Sequence, residues 1–288
     1  MQSTGPSYQA VQVGRVTVVA PPDRMSLGLA LGELADQPRE FVGLGRWEAG
    51  PLRLVLAPSR SAIQRFGRGR VPNWGIGLAF PSARVVVVRA DAPDPRGALR
   101  HELAHLALHD RIRSRVPLWF DEGYSVVAAG ELSRLLALEL NLAVVRGATP
   151  ELRELDASLR RAEGEAQAAY ALAGSAVLHL FRLVPGGSPK PLFDRLATGE
   201  EFATAVESVT GYPVSGFEQS WRRDLRRRYG WLVWLAAGGV WAVAAAAVIA
   251  LGLWRRRRDR PRRAALDQGW ELPAEEEDPP LDPDQSAR

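Results

Sequence analysis

Cysteine is absent from this 288-residue chain, and histidine is scarce, with only four residues. Without cysteine the chain can have no disulfide, no thiolate nucleophile and no zinc site built on cysteine ligands. The absence leaves the redox compartment open, because a cysteine-free chain can fold in either environment. Any metal site must therefore be built from histidine and carboxylate side chains.

Net positive charge is also scarce outside one zone, although the net charge of the chain is +4. Residues 222–263 contain twelve arginines and two aspartates, whereas residues 264–288 contain eight acidic residues and one arginine. The rest of the chain is close to neutral. Because the positive charge belongs to one short zone and not to a domain surface, the composition argues against a nucleic-acid partner.

Charge is missing altogether from residues 231–254, which carry tryptophan at both ends. A helix of this length crosses a ~30 Å hydrocarbon core. The run therefore predicts one transmembrane helix in contact with a lipid bilayer; the alternative is a buried core helix. More arginines follow the run than precede it, which favours a cytoplasmic tail and an extracytoplasmic position for the domain before the run. No export signal is visible at the start of the chain, so the opposite orientation stays open.

The remaining pattern predicts an α+β fold in which a strand-rich part, residues 15–97, precedes a helical part, residues 98–228. We expect strands at 15–20 and 52–59, a helix from Met25, and a hairpin that turns around Pro81 and Ser82. The strand at 84–90 is expected either at the rim of a cleft or fully buried. Residues 1–14 read as a loose lead-in and 255–288 as a disordered charged tail. Helices are expected at about 98–109, from 118 onward, and at about 151–163, 165–184, 189–197, 200–209 and 214–228.

The stretch HELAH, residues 101–105, is the first motif with chemistry. Residues four apart lie on one face of a helix, so His101 and His105 can hold one metal ion. Glu102 lies about 100° round the helix, where it can take a proton from a water that the metal activates. The alternative is a helix on which two histidines are stacked without a function.

A catalytic zinc ion needs a third protein ligand. His109 is a poor candidate, because two helical turns place it ~12 Å along the axis from His101. Glu122, in the stretch PLWFDEGYS, is better placed, since the residues before it are numerous enough to turn the chain and bring the next helix alongside. Asp121 is the competing ligand, but it would project about 100° away from Glu122.

The pair HELAH and WFDEGYS resembles the gluzincin zinc metallopeptidases, and among them the peptidase MA-like family. The resemblance covers about residues 15–228 and implies a minimal, thermolysin-like zincin domain. It implies that His101, His105 and Glu122 hold Zn²⁺, and that Glu102 is the general base in the hydrolysis of a peptide or protein substrate.

Roles can also be expected for two residues of a later helix. By that resemblance, Tyr170 is the candidate for stabilising the oxyanion, with a packing role as the alternative, and His179 is expected to be a core or capping residue. The sequence also departs from the family pattern. It lacks the block that captures a free amine in aminopeptidases, and Val126 stands four residues after Glu122, where thermolysin-like enzymes have a carboxylate.

Three functions are compatible with the sequence. The first is an active, membrane-anchored zinc peptidase, which the complete motif favours. The second is a relative that binds zinc without catalysis, and the third is a metal-free, membrane-anchored interaction module. Metal content separates the third from the others, and a variant of Glu102 separates the first from the second. The sequence leaves the oligomeric state open.

Overall fold

The computed structural model describes residues 7–67, 75–131, 150–160, 163–229 and 240–267. They fall into two compact units, residues 1–233 and 234–288. The first unit contains the expected α+β arrangement, with the strands in its N-terminal part and helices through the rest.

A five-stranded mixed sheet forms the N-terminal part, with the strand order β1-β2-β5-β7-β6. Strands β2, β5 and β7 run parallel, whereas β1 and β6 pair antiparallel at the two edges. A short antiparallel ribbon, β3–β4, lies outside this sheet. The elements in order are β1 (Gln9–Val13), β2 (Val16–Ala20), α1 (Met25–Asp36), β3 (Arg39–Phe41), β4 (Gly45–Trp47), β5 (Leu52–Ala57), α2 (Arg60–Phe66), β6 (Gly77–Phe80) and β7 (Val85–Arg89).

The expected hairpin is confirmed, because β6 and β7 pair antiparallel on either side of Pro81. The strand predicted at 84–90 is the interior strand β7 and is largely buried, so the rim position at this end of the sheet belongs to β6. The β-branched run in β7 explains its position, since valine suits a strand that is covered on both faces. Part of the predicted lead-in, residues 9–13, is strand β1.

The helical part packs around a second core that contains Phe120, Phe193, Phe217 and Trp221, all fully buried. The long helix α6 runs against α4 through the middle of this core. The helices in order are α3 (Pro95–Arg111), α4 (Leu118–Ala129), α5 (Leu152–Ser158), α6 (Glu163–Leu183), α7 (Lys190–Thr198), α8 (Phe202–Thr210) and α9 (Val214–Tyr229). These elements confirm the predicted sequence of helices within the described residues.

The predicted transmembrane helix at 231–254 is wrong: within the part of the chain that the structure describes, no helix is long and apolar enough to cross a membrane. Helix α10 (Val240–Asp267) forms the second unit, and its apolar part ends at Trp254, before a run of arginines. At 1.5 Å per residue this part measures roughly 22 Å, less than a ~30 Å hydrocarbon core. Residues 231–239 of the predicted span lie outside the described residues.

The predicted tail is partly helical, because α10 continues through the arginine run to Asp267. Residues 268–288 of that tail lie outside the described residues. The sequence pattern located the uncharged run correctly, but an uncharged run does not fix where a helix begins or ends. The location of the catalytic domain outside the cytoplasm is not tested and stays a prediction.

Candidate metal centre

Helix α3 brings the two motif histidines onto one face. The helix begins after Asp94, whose side chain accepts a hydrogen bond from the Gly97 N–H at 2.8 Å and so caps the helix. Within the helix, the rings of His101 and His105 lie 5.0 Å apart, and both side chains are largely buried. The predicted spacing of four residues therefore places both imidazoles at one point.

Helix α4 supplies the third side chain. It packs alongside α3 and carries Glu122 toward the two histidines. The Glu122 Oε2 atom lies 3.3 Å from His101 Nε2 and 3.5 Å from His105 Nε2. The structure thus brings together the three predicted ligands, and their donor atoms all lie within 4.8 Å of one another.

These separations fit a tetrahedral zinc site. Zinc lies ~2.0–2.1 Å from nitrogen and oxygen ligands, so two ligand atoms at tetrahedral angles are about 3.3–3.4 Å apart. The two Nε2–Oε2 distances, 3.3 and 3.5 Å, match that edge length. Two imidazole nitrogens and one carboxylate oxygen are also the donor set of many catalytic zinc sites, which leave the fourth position open. The residues present therefore fit a zinc ion.

The outer nitrogens of both histidines face carboxylates. The Nδ1 atom of His105 lies 2.7 Å from Asp121 Oδ1, and that of His101 lies 3.3 Å from Glu131 Oε2. An Nδ1–H that donates to a carboxylate leaves the Nε2 lone pair free for a cation and fixes the ring. Asp121 is therefore placed to orient a ligand, as its predicted direction away from Glu122 requires, and is not a competing ligand.

His109 contacts the candidate ligands only indirectly, through Asp121. Its Nε2 atom lies 2.8 Å from Asp121 Oδ2, so one carboxylate bridges His105 and His109. The structure does not bring His109 to the three ligand atoms, in agreement with the distance expected along the helix. Its role is that of a partner to the carboxylate that holds His105.

The carboxylates around His101 and His105 favour a positive charge between the two rings. Burial alone would lower the pKa of His101, but hydrogen bonds to Glu122 and Glu131 outweigh it and raise the pKa to about 10. Burial opposes ionisation of Glu122, yet the charges of the two histidines outweigh burial and lower its pKa to about 2. The carboxylates thus favour a cation where the two Nε2 atoms meet, and a divalent metal ion would satisfy them without two protonated imidazoles.

The general-base candidate Glu102 lies in a confined position beside the ligands. It is 8% exposed, and burial raises its pKa to about 7, against the opposing effect of His101 and His105. Gly77 on β6 faces it so closely that a Cβ atom there would lie 2.3 Å from Glu102 Oε1. The sequence analysis missed Gly77, because the contact joins a strand to a helix. The only sign of it in the sequence is the second glycine of the stretch WGIGLAF.

Tyr170 on α6 lies against the site, with its ring centroid 6.0 Å from that of His101. Burial and the neighbouring Glu122, to which its hydroxyl donates a hydrogen bond, raise its pKa well above the usual value. His179 lies farther along the same helix, where its Nε2 contacts Ser220 Oγ at 3.0 Å and its Nδ1 lies 3.3 Å from Asp224. Tyr170 therefore lies at the site and His179 lies in a separate polar contact, while the predicted role of Tyr170 at the oxyanion stays a prediction.

Comparison with known protein families assigns the chain to a superfamily. No curated protein matches the chain. The family model of the peptidase MA superfamily matches residues 69–227, which is more than half of the chain and includes α3, α4 and α6. The matched region contains the three candidate metal ligands, Glu102 and Tyr170. Because the model covers these elements together, the chain belongs to the peptidase MA superfamily.

Proposed function

We propose that this protein is a zinc-dependent peptidase of the gluzincin type, with His101, His105 and Glu122 as the zinc ligands. Membership of the peptidase MA superfamily points to peptide or protein substrates and to a metal-dependent reaction. The observation that carries the finer proposal is the spacing of the two Nε2 atoms and the Glu122 carboxylate, 3.3 and 3.5 Å, with each outer Nδ1 turned toward a carboxylate.

When bound, zinc supplies Lewis-acid activation of water and of the scissile carbonyl. The residues of the chain handle the protons and the orientation. Glu102 takes a proton from the attacking water and passes it to the leaving amine. A carboxylate suits this role because it can both accept a proton from the water and return it to the leaving group. In this proposal the Tyr170 hydroxyl, which donates to Glu122 in the structure, turns to donate to the developing oxyanion when substrate is bound.

The position of β6 suggests how a substrate lies in the site. This strand ends the sheet within the described residues and passes over Glu102 at Gly77. An extended peptide that adds to such an edge makes main-chain hydrogen bonds with little dependence on its side chains. In that arrangement the scissile bond would lie next to Glu102, whereas β7, one strand farther in, is not accessible for pairing.

The test uses the full chain, loaded with zinc and assayed on casein and on a library of quenched peptides. Glu102→Gln is the diagnostic variant, because the amide keeps the shape of the side chain but cannot accept the proton. Glu207→Gln is the matched control, since Glu207 is an exposed glutamate on α8, outside the site. We expect one zinc ion per chain in all three proteins and loss of hydrolysis in Glu102→Gln alone.

Other outcomes separate the alternative functions. Bound zinc without hydrolysis in the native chain would indicate a zinc-binding relative that lacks catalysis. A folded native chain that binds no zinc would refute the proposal and leave the metal-free interaction module. Equal hydrolysis by the native chain and Glu102→Gln would refute the assigned base.

A further inference from the structure

The support of His101 comes from an unexpected position in the chain. The residue four places after Glu122 is Val126, a buried valine, so the following turn of α4 offers no carboxylate. The structure instead brings Glu131, nine residues after Glu122, to 3.3 Å from His101 Nδ1. The His101 ring therefore lies between two carboxylates, with Glu131 at its Nδ1 atom and Glu122 at its Nε2 atom.

The end of helix α4 explains how Glu131 arrives there. Gly130 follows the helix in the left-handed conformation, with a φ of 74°, which glycine adopts without strain. The Gly130 N–H donates to the Val127 carbonyl, and the Glu131 N–H donates to the Val126 carbonyl. These two bonds make a Schellman cap, which turns the chain back over the last helical turn. The cap therefore delivers the Glu131 side chain to α3.

We propose that Glu131 is a positioning residue for the metal ligand His101, and that the Gly130 cap sets its location. The inference rests on the proposed zinc site and adds to it a residue that the sequence pattern does not assign. Glu131 does not touch the substrate in this scheme. It accepts a hydrogen bond from His101 Nδ1–H, which fixes the ring and raises the basicity of Nε2.

The geometry of the Glu131 contact also indicates how much zinc affinity is lost when it is removed. Loss of a hydrogen bond to a metal-binding histidine weakens metal affinity about 10–100-fold. The Glu131 side chain is 38% exposed and its contact measures 3.3 Å, whereas Asp121 is 17% exposed and lies 2.7 Å from His105. A longer and more solvated hydrogen bond is weaker. We therefore expect Glu131 to contribute near the lower end of that range and Asp121 near the upper end.

The experiment measures Zn²⁺ affinity on the full chain by competition with a chromophoric chelator, and the absorption spectrum of the Co²⁺-loaded protein. Glu131→Ala removes the acceptor but keeps the backbone N–H of the cap, and Glu131→Gln keeps a neutral acceptor. Glu207→Ala is the matched control. We expect affinity about tenfold lower in Glu131→Ala, a smaller loss in Glu131→Gln, a changed Co²⁺ spectrum in both, and native behaviour in the control.

Gly130→Ala tests the cap independently. No atom lies within 4 Å of a Cβ built at Gly130, so the substitution strains only the backbone. We expect it to lower Zn²⁺ affinity when Glu131 is present and to have no further effect in Glu131→Ala, because both changes remove one contact. An equal loss in both backgrounds would refute the role of the cap.

The outcomes also distinguish this inference from the proposed function. A native chain that binds no Zn²⁺ overturns the zinc site and, with it, the inference. If the native chain and Glu131→Ala bind Zn²⁺ equally tightly, the role of Glu131 is refuted, whereas the proposed zinc site is not. A loss of affinity that comes with a lowered melting temperature of the metal-free protein would assign Glu131 to the stability of the fold and overturn the positioning role.

Discussion

Substitution of Gly77 by alanine tests whether the narrow space between β6 and α3 controls the proposed catalysis. The added Cβ would lie 2.3 Å from Glu102 Oε1, 2.7 Å from its Cγ and 2.8 Å from its Cδ. Non-bonded carbon atoms are most stable at about 3.5–4.0 Å, so either the Glu102 side chain or the strand must move by about 1 Å. Since Glu102 is the flexible partner, we expect it to yield.

A displacement of about 1 Å at a reacting group can cost about 100-fold in rate, which corresponds to about 2.7 kcal/mol in the activation barrier. We expect kcat/KM for a quenched peptide to fall by about this factor, while the zinc content is unchanged, because Glu102 is not a ligand. Gly216→Ala is the matched control: its nearest neighbours are 3.5 Å or more from the added Cβ. Native activity in Gly77→Ala, or parallel loss of zinc and activity, would refute the reasoning.

Three further predictions follow from other contacts. Tyr170→Phe should lower kcat about 100-fold with little change in KM and full zinc content, because an oxyanion donor acts in the transition state; an equal effect on KM would assign Tyr170 to substrate binding. Gly123→Ala should lower the free energy of unfolding by about 1–3 kcal/mol in urea titrations, because the added Cβ would lie 2.5 Å from the backbone oxygen of Ala173. An unchanged urea midpoint would show that the two helices can separate without cost. Burial lowers the pKa of His179 despite the opposing charge of Asp224, so at this residue the unfolded chain binds more protons, and the contribution of His179 to the free energy of unfolding should decrease as the pH falls below about 6.5. His179→Gln should flatten that dependence, and an equal pH dependence in this variant would contradict the assignment.

The candidate metal ligands could be predicted from the sequence: the two histidines from local geometry, and Glu122 from the length of the chain between the two helices and from the family resemblance. The spacing of His101 and His105 fixes their common face on any helix, and the helical angle between Asp121 and Glu122 allows only one of them to join that face. The structure confirms this arrangement, with Asp121 on the outer side of His105. Helical periodicity thus predicted the pair of histidines at the centre of the candidate site.

The supporting residues could not be predicted in the same way, since each depends on a contact between elements. Glu131 reaches His101 only because Gly130 reverses the chain after α4. Gly77 approaches Glu102 only because β6 lies beside α3. A glycine before a glutamate, or a glycine in a strand, is too common in sequences to single out either residue without the packing.

The errors have a different cause. The ribbon strands β3 and β4 contain three residues each, too few to show a periodic pattern. The predicted transmembrane helix rested on the length of an uncharged run, but the length of a run is not the length of a helix. Within the described residues, helix α10 covers Val240–Asp267 and carries its arginines within the same helix, so only the first half of this range is apolar.

Helix α4 connects the predicted and the unexpected parts of the site. It carries the proposed ligand Glu122 and, next to it, Asp121, while the cap at its end carries Glu131. A single shift of α4 would therefore disturb the third ligand and the supports of both histidines at once. The helix is held against α6 at Gly123, directly after the ligand, where the backbone of Ala173 leaves no room for a Cβ atom. The geometry of the metal centre thus depends on close helix packing in the core, and changes in that core should alter metal affinity even where they leave all the ligands in place.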